Sequence, residues 1–331
     1  MKATAVAHPN IALVKYWGKR DEKLILPHQS SLSMTLDGLS ATTTVEFSPE
    51  RAEDTAQIDT RRLDGEELAR IVGVLDLVRE KAGLELKARV ASKTDFPKAA
   101  GLASSAAGGA ALAAAASWAA GLRPEPTELS ILARRNSGSA CRSIQGGFCE
   151  WQRGTAADGS DSFAVQVAPE THWPELRMVV VICADEAKEV SSRDAMHRTV
   201  ETSPYYKSWV EVAEADLKQA RAAVLARDLT ALGAVAERNA WRMHASAMAA
   251  NPSIVYLRPI TLAVLETVAA LRAGGVPAYF TLDAGPNPVI LCLAGGAPRA
   301  TMRLGAVPGV IRTIVAGPGK GVEPVERPVF Q

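Results

Sequence analysis

Aromatic side chains are scarce in this 331-residue chain (5%), and 37 lysines and arginines nearly balance 36 aspartates and glutamates, leaving a formal net charge of +1. That balance argues against nucleic acid as a partner, because a phosphate-neutralising face needs a surplus of cations. Any anionic ligand must be held by local charge. Cysteine is sparse too: Cys141, Cys149, Cys183 and Cys292 are scattered, with no C-x-x-C pair and no histidine at zinc-ligand spacing. Free thiols in a reducing compartment are expected. His8, His28, His172, His197 and His244 form no metal-ligand pattern and receive no catalytic role. Met1-Lys2 is not followed by a long apolar segment with a small-residue cleavage site, so a cytoplasmic location is expected. The stretch Ala99 to Ala120 comes nearest to a membrane span, but it is weakly apolar alanine beside Lys98 and reads as a buried helix. No membrane partner is expected, and no long internal repeat is evident.

What is present is globular. A composition of 47% apolar and 22% charged residues excludes disordered, collagen-like and coiled-coil chains, and the length favours two domains or one large α/β unit. Strand signals open the chain from Ala3 to Lys19 and recur at Leu32 to Leu36 and Thr42 to Phe47. Leu68, Ile71, Val72, Leu75 and Val78 keep helical spacing, and Leu84, Leu86, Ala88 and Val90 alternate as in a half-buried strand. A helix is expected up to about Gly121, another over Leu129 to Arg135, and strands at Phe148 to Trp151 and Met178 to Cys183. Long helical patterns then cover roughly Pro204 to Ala226, Asp228 to Ala249 and Ser253 to Ala273. Strands are expected at Ala278 to Leu282, Val289 to Leu293 and Ile311 to Val315. The texture changes at Ala184 to Lys188, which predicts domains over residues 1–184 and 185–331 in an α+β architecture of two lobes with a cleft between them.

Four segments suit an anionic ligand, and a fifth offers a carboxylate. Phe96 to Gly109 reads as a small-residue loop feeding a helix start, where unpaired N–H groups and the helix dipole favour phosphate. Ser104 and Ser105 can cap that helix, donate to phosphate oxygens or ligate magnesium; an Ala-rich core helix with a serine cap is the plain alternative. The stretch Ala7 to Arg20 holds Lys15, Tyr16 and Lys19. If it is extended, both lysines point to one side, though lysines also snorkel at strand edges. Arg142, in Ser137-Gly138-Ser139-Ala140-Cys141-Arg142-Ser143, can bind a carboxylate or phosphate bidentately or be a solvated loop residue. Asp283 ends an apolar strand, on a rigid mount, but an aspartate in such a turn often bonds its own backbone. Ser191, Ser192 and Arg193 offer a helix cap with solvated charges or part of an anion site.

The segments NIALVKYWGKRD, LPHQSSLSMTLD, DFPKAAGLASSAAGG, SGSACRSIQGGF, KEVSSRDAM, Met243-His244-Ala245 and DAGPN, in this order, resemble the GHMP small-molecule kinases, and within them the branch that decarboxylates a phosphorylated 3-hydroxy acid. The phosphate loop lacks the G-K-[ST] ending of a Walker motif. The resemblance implies a two-lobed GHMP kinase fold, with an N-terminal ribosomal S5 domain 2-like lobe, a C-terminal ferredoxin-like lobe and the active site between them. It implies ATP-dependent conversion of mevalonate 5-diphosphate to isopentenyl diphosphate with ATP as co-substrate, Mg2+, and a homodimer. It implies Asp283 against the 3-hydroxyl, Lys15 between Asp283 and the transferring phosphoryl group, and Arg142 on the carboxylate. Tyr16, Lys19, Ser137, Ser139, Ser192, Arg193 and Met196 fall at substrate positions. Pro97, Ala99, Ala100, Gly101, Leu102, Ala103, Ser104, Ser105 and Ala106 fall at nucleotide phosphate positions, with Ser105 toward the metal and Ser92 near the adenine. Departures from the pattern are His28-Gln29, Lys98 and Ala195. A decarboxylase of the 5-monophosphate, a 3-kinase that stops after phosphorylation, and a silent GHMP-fold binding protein are the rival readings; fold alone does not choose among them.

Overall fold

A computed structural model describes residues 1–95, 104–184, 186 and 189–330, without the side chain of Ser104. The first lobe is built on a sheet in which the opening strand Lys2–Ala7 pairs with Ala41–Ser48, which pairs in turn with Lys87–Thr94. The strand Thr55–Ile58 lies parallel to Lys87–Thr94, and helix α1 (Gly65–Ala82) makes the crossover that a parallel pair requires. Helix α2 (Ser104–Ala119) rests on the two leading strands of this sheet. Its residues 110–116 are buried on every side, because alanine and glycine let the helix approach the sheet and its neighbours closely. Helix α3 (Pro126–Asn136) closes this core and leads into a single 3₁₀ segment, Gly138–Ser143. The small residues there are poor formers of a longer α-helix, yet they still form this tight turn.

A second, antiparallel sheet takes Ala164–Ala168, Phe148–Trp151, Ser31–Thr35 and Asn10–Val14 in that order. The second lobe carries a third sheet, ordered Ala278–Leu282, Pro288–Leu293, Leu176–Ile182 and Arg312–Ala316. The strand Leu176–Ile182 thus pairs with strands from beyond residue 184. The central strand explains its unbroken apolar run: Met178, Val180 and Ile182 face one core, while Val179, Val181 and Cys183 face another. Helices α5 (Tyr206–Ala226) and α6 (Leu229–Met248) pack between the second and third sheets, and their apolar stripes join Ile11, Leu13, Met34 and Phe148 of one lobe to Leu291 of the other. Helices α7 (Pro259–Ala273) and α8 (Ala297–Gly305) cover the outer face. Helix α4 (Ser192–Thr202) precedes them in the chain and faces the cleft.

Several elements depart from the sequence reading, among them the strand expected from Leu84, which begins only at Lys87. The helix expected from Ser253 begins only at Pro259, at the first-turn position that proline favours. Helix α8 has only nine residues and gives little periodic signal. The segment Asn10 to Arg20 is not one extended strand: it leaves the sheet after Val14, turns through Gly18 at φ 90°, and resumes at Lys19. A β-carbon at Gly18 would fall 2.0 Å from the Tyr206 hydroxyl oxygen, so both the turn and the contact demand glycine. Among the described residues the four cysteines are buried free thiols, and no helix is long and apolar enough to cross a membrane.

Candidate active site

Two edge strands from different sheets meet at the cleft. Asn10–Val14 ends its sheet and Ala278–Leu282 ends the other; Thr281 Oγ1 donates to the Ala12 carbonyl at 3.1 Å, tying one to the other. Each strand then delivers a charged residue just past its end. Lys15 Nζ donates to Asp283 Oδ1 at 2.6 Å and to the Ala12 carbonyl at 2.7 Å. Asp283 thus bonds a lysine across the cleft. The turn carrying Asp283 is fastened from behind, where Asn287 Oδ1 accepts from the N–H groups of Cys183 and Ala184 at 2.7 and 3.0 Å.

Lys15 is 1% exposed, and burial lowers its pKa while the Asp283 carboxylate pulls it back up. Arg142, at the end of the 3₁₀ segment, is 2% exposed, which rules out a solvated loop side chain. Its Nη1 donates to Ser31 Oγ at 2.7 Å, and its Nε is shared between Ser33 Oγ at 3.0 Å and Asn10 Oδ1 at 3.2 Å. Asn10 is itself fixed by donation to the Ser139 carbonyl and Ser143 Oγ. Burial lowers the Arg142 pKa, but a guanidinium stays charged. All its partners are neutral oxygens, so the fork keeps its full charge for an anion.

These residues line a cavity of about 960 Å³ that runs from Asp283, Lys15 and Arg142 past Ser137 and Ser139 to Ser105 and Ser92. Tyr16 and Lys19 line it from the turn after Asn10–Val14, and Ser192, Arg193 and Met196 from the first turns of α4. Lys19 pairs with Glu22. The Tyr16 hydroxyl is buried with no hydrogen-bond partner among the described residues, a group free to meet a ligand's polar atoms. Ser105, Ser137 and Ser139 form a row of hydroxyls, 3.4 and 3.5 Å apart. Ser92 Oγ shares a hydrogen bond with Thr43 Oγ1 at 2.7 Å. Ala106 is fully buried in α2 and does not line the cavity. Pro97, Lys98, Ala99, Ala100, Gly101, Leu102 and Ala103 lie outside the described residues, and Ser104 is placed only as the first residue of α2.

Two departures gain a physical account. Gln29 is buried, and its Nε2 donates to the carbonyls of Trp17 at 3.3 Å and Lys15 at 3.4 Å, clamping the turn that carries both cavity lysines. Ala195 is an ordinary buried residue of α4, packed with Trp17 and Trp209. Sequence reasoning missed Asn10, Ser31 and Ser33 as supports of Arg142. The alternation of Ser31–Thr35 carried that signal for the two serines, polar groups recurring on a fully buried strand, whereas Asn10 is a lone polar residue on an apolar one.

A two-lobed α+β fold whose cleft carries a lysine–aspartate pair, a buried arginine and a row of serine hydroxyls defines an enzyme of the GHMP small-molecule kinase type. A family model described as diphosphomevalonate decarboxylase-like N-terminal domain matches residues 7–164, and one described as mevalonate 5-diphosphate decarboxylase C-terminal domain matches residues 178–307. The chain belongs to the diphosphomevalonate decarboxylase family. It is 41% identical over 308 residues to diphosphomevalonate decarboxylase of Homo sapiens, covering 88% of this chain and 76% of the human one. Among solved structures, one described as MDDEF in complex with MVAPP, AMPPCP and magnesium aligns with a TM-score of 0.91 at 41% identity, over 99% of both chains. A structure described as the mevalonate diphosphate mediated ATP binding mechanism of the Enterococcus faecalis mevalonate diphosphate decarboxylase aligns with a TM-score of 0.90 at 40% identity, again over 99% of both.

Proposed function

We propose that this chain converts mevalonate 5-diphosphate and ATP to isopentenyl diphosphate, ADP, phosphate and CO2. The observation that carries the reading is the Lys15–Asp283 pair at 2.6 Å, set in one cavity with Arg142 and with the Ser105 end of α2. A tertiary hydroxide leaves poorly, so the 3-hydroxyl oxygen is first phosphorylated by the terminal phosphoryl group of ATP. The C3–O bond then breaks with its electrons on phosphate, and the carboxylate carbon departs as CO2, leaving its bonding pair as the new double bond.

The side chains divide this work. Asp283 orients the 3-hydroxyl and accepts its proton late, as the oxygen–phosphorus bond forms. Lys15 lies between Asp283 and the transferring group and offsets charge on its oxygens. Arg142 grips the carboxylate, and Tyr16, Lys19, Ser137, Ser139, Ser192, Arg193 and Met196 hold the remainder of the substrate. Ser104 and Ser105, with the backbone from Gly101 onward, take the nucleotide phosphates, and Ser92 lies on the adenine side. Magnesium typically keeps waters and binds through nucleotide phosphates with few protein ligands. The exposed Ser105 hydroxyl at the cavity wall fits such an ion, and among the described residues no cluster of His, Cys, Asp or Glu forms a closed metal cage. Bound there, the ion would neutralise phosphate charge. A homodimer, supported by the resemblance, and a cytoplasmic location complete the proposal.

Asp283→Ala tests the assignment. Turnover is expected to fall by about 10²–10⁴-fold, while nucleotide binding, followed by a fluorescent ATP analogue, stays measurable. Near-normal turnover would refute the role of Asp283.

A further inference from the structure

The backbone N–H of Lys15 lies one residue beyond its strand, where no sheet partner reaches it. It donates instead to Asn239 Oδ1 of α6 at 2.8 Å. Asn239 is fully buried. Its other amide atom, Nδ2, donates to Asp216 Oδ2 of α5 at 3.0 Å, which leaves the oxygen turned toward Lys15. Asp216 is 2% exposed and is held by two guanidinium groups: Arg238 Nη2 donates to Oδ1 and Arg242 Nη1 to Oδ2, each at 2.8 Å. A buried carboxylate is a poor source of stability compared with a well-packed apolar residue. What it supplies here is direction: a carboxylate can only accept, so it fixes which end of the Asn239 amide faces the lysine.

We propose that Asn239, oriented by Asp216, is a positioning residue for Lys15, through which the helix pair α5–α6 sets where the ammonium sits against Asp283. The proposal rests on the reading of Lys15 as a group of the reacting centre. A reacting geometry displaced by about 1 Å can lose about 100-fold in rate, so the anchor acts on kcat. It touches no substrate and leaves KM nearly unmoved.

Three proteins test this. Lys15→Met checks the underlying reading: if it keeps normal turnover, Lys15 is not at the reacting centre and that reading fails by itself. With Lys15→Met inactive, Asn239→Ala is expected to lose at least about tenfold in kcat, with both KM values within about threefold. In Asp216→Asn, which keeps Asn239 but removes the acceptor-only group that fixes its amide, kcat is expected to fall in the same direction by a smaller factor, again with both KM values within about threefold. The proposal is overturned if Asn239→Ala keeps its kcat, or if it loses kcat and Asp216→Asn, folded by circular dichroism, keeps its own. It is equally overturned if neither protein folds, because the contact is then purely structural.

Discussion

Lys15 holds its ammonium where water scarcely reaches, and three side chains share the work of keeping it there. Asp283 offsets the charge, Asn239 fixes the N–H and Gln29 fixes the carbonyl. His244 sits beside them, 1% exposed, with Nε2 buried and unpartnered and its ring edge-on to Tyr256 at 6.3 Å. Burial, helped by the Lys15 charge, drops its pKa to about 4. The imidazole is therefore neutral in the folded protein, whereas the unfolded chain takes up its proton near pH 6.5. Between these values the unfolded state binds more protons, so stability falls as pH drops from 6.5 toward 4. This group should remove about 2 kcal/mol between pH 7 and pH 5. Urea unfolding at the two pH values should show the loss in the parent chain and lack this part of it in His244→Gln; equal pH dependence in both would contradict the assignment. None of this is visible in a sequence where five histidines lack any pattern. Lys15, Arg142 and Asp283 were legible only because each lies in a long segment resembling a family, since each alone has an ordinary structural explanation.

Elements were legible where periodicity is strong and obscure where backbone geometry decides. Helices α5 and α6 and the strand Leu176–Ile182 follow from their apolar spacing. The turn through Gly18, the 3₁₀ segment and the two-residue strand Glu323–Pro324, which returns the chain end to the opening strand, carry no such period. They matter nonetheless, because they set where Lys19 and Arg142 reach the cavity. Gly138 shows the tolerance of the 3₁₀ segment: a β-carbon there would fall 2.8 Å from Tyr16 Cε1 and 2.9 Å from Trp151 Cη2. Tyr16 and Trp151 already pack edge-on, with ring centroids 4.7 Å apart. Gly138→Ala should therefore cost about 1–3 kcal/mol through overpacking and raise the substrate KM by tilting Tyr16. Thermal unfolding and steady-state kinetics check both effects; an unchanged melting temperature would show that the rings yield freely.

At the scale of the whole molecule, the lobes are joined by a shared hydrophobic core, by the edge-strand contact at Thr281, and by the Asn239 anchor. The order of motifs in the sequence implies a composite site but not its construction, since the contacts that place Lys15, Asp283 and Arg142 join residues more than 100 positions apart. The phosphate-loop motif signals a nucleotide, while the reaction depends on Lys15, Arg142 and Asp283. The central claim is that this cavity couples phosphoryl transfer to loss of CO2 from a diphosphate-bearing acid. Its most direct test is release of 14CO2 and ADP from the carboxyl-labelled 5-diphosphate and 5-monophosphate of mevalonate, side by side with ATP. The account predicts equal amounts of CO2 and ADP and a clear preference for the diphosphate. ADP formation without CO2, or a preference for the monophosphate, would contradict it.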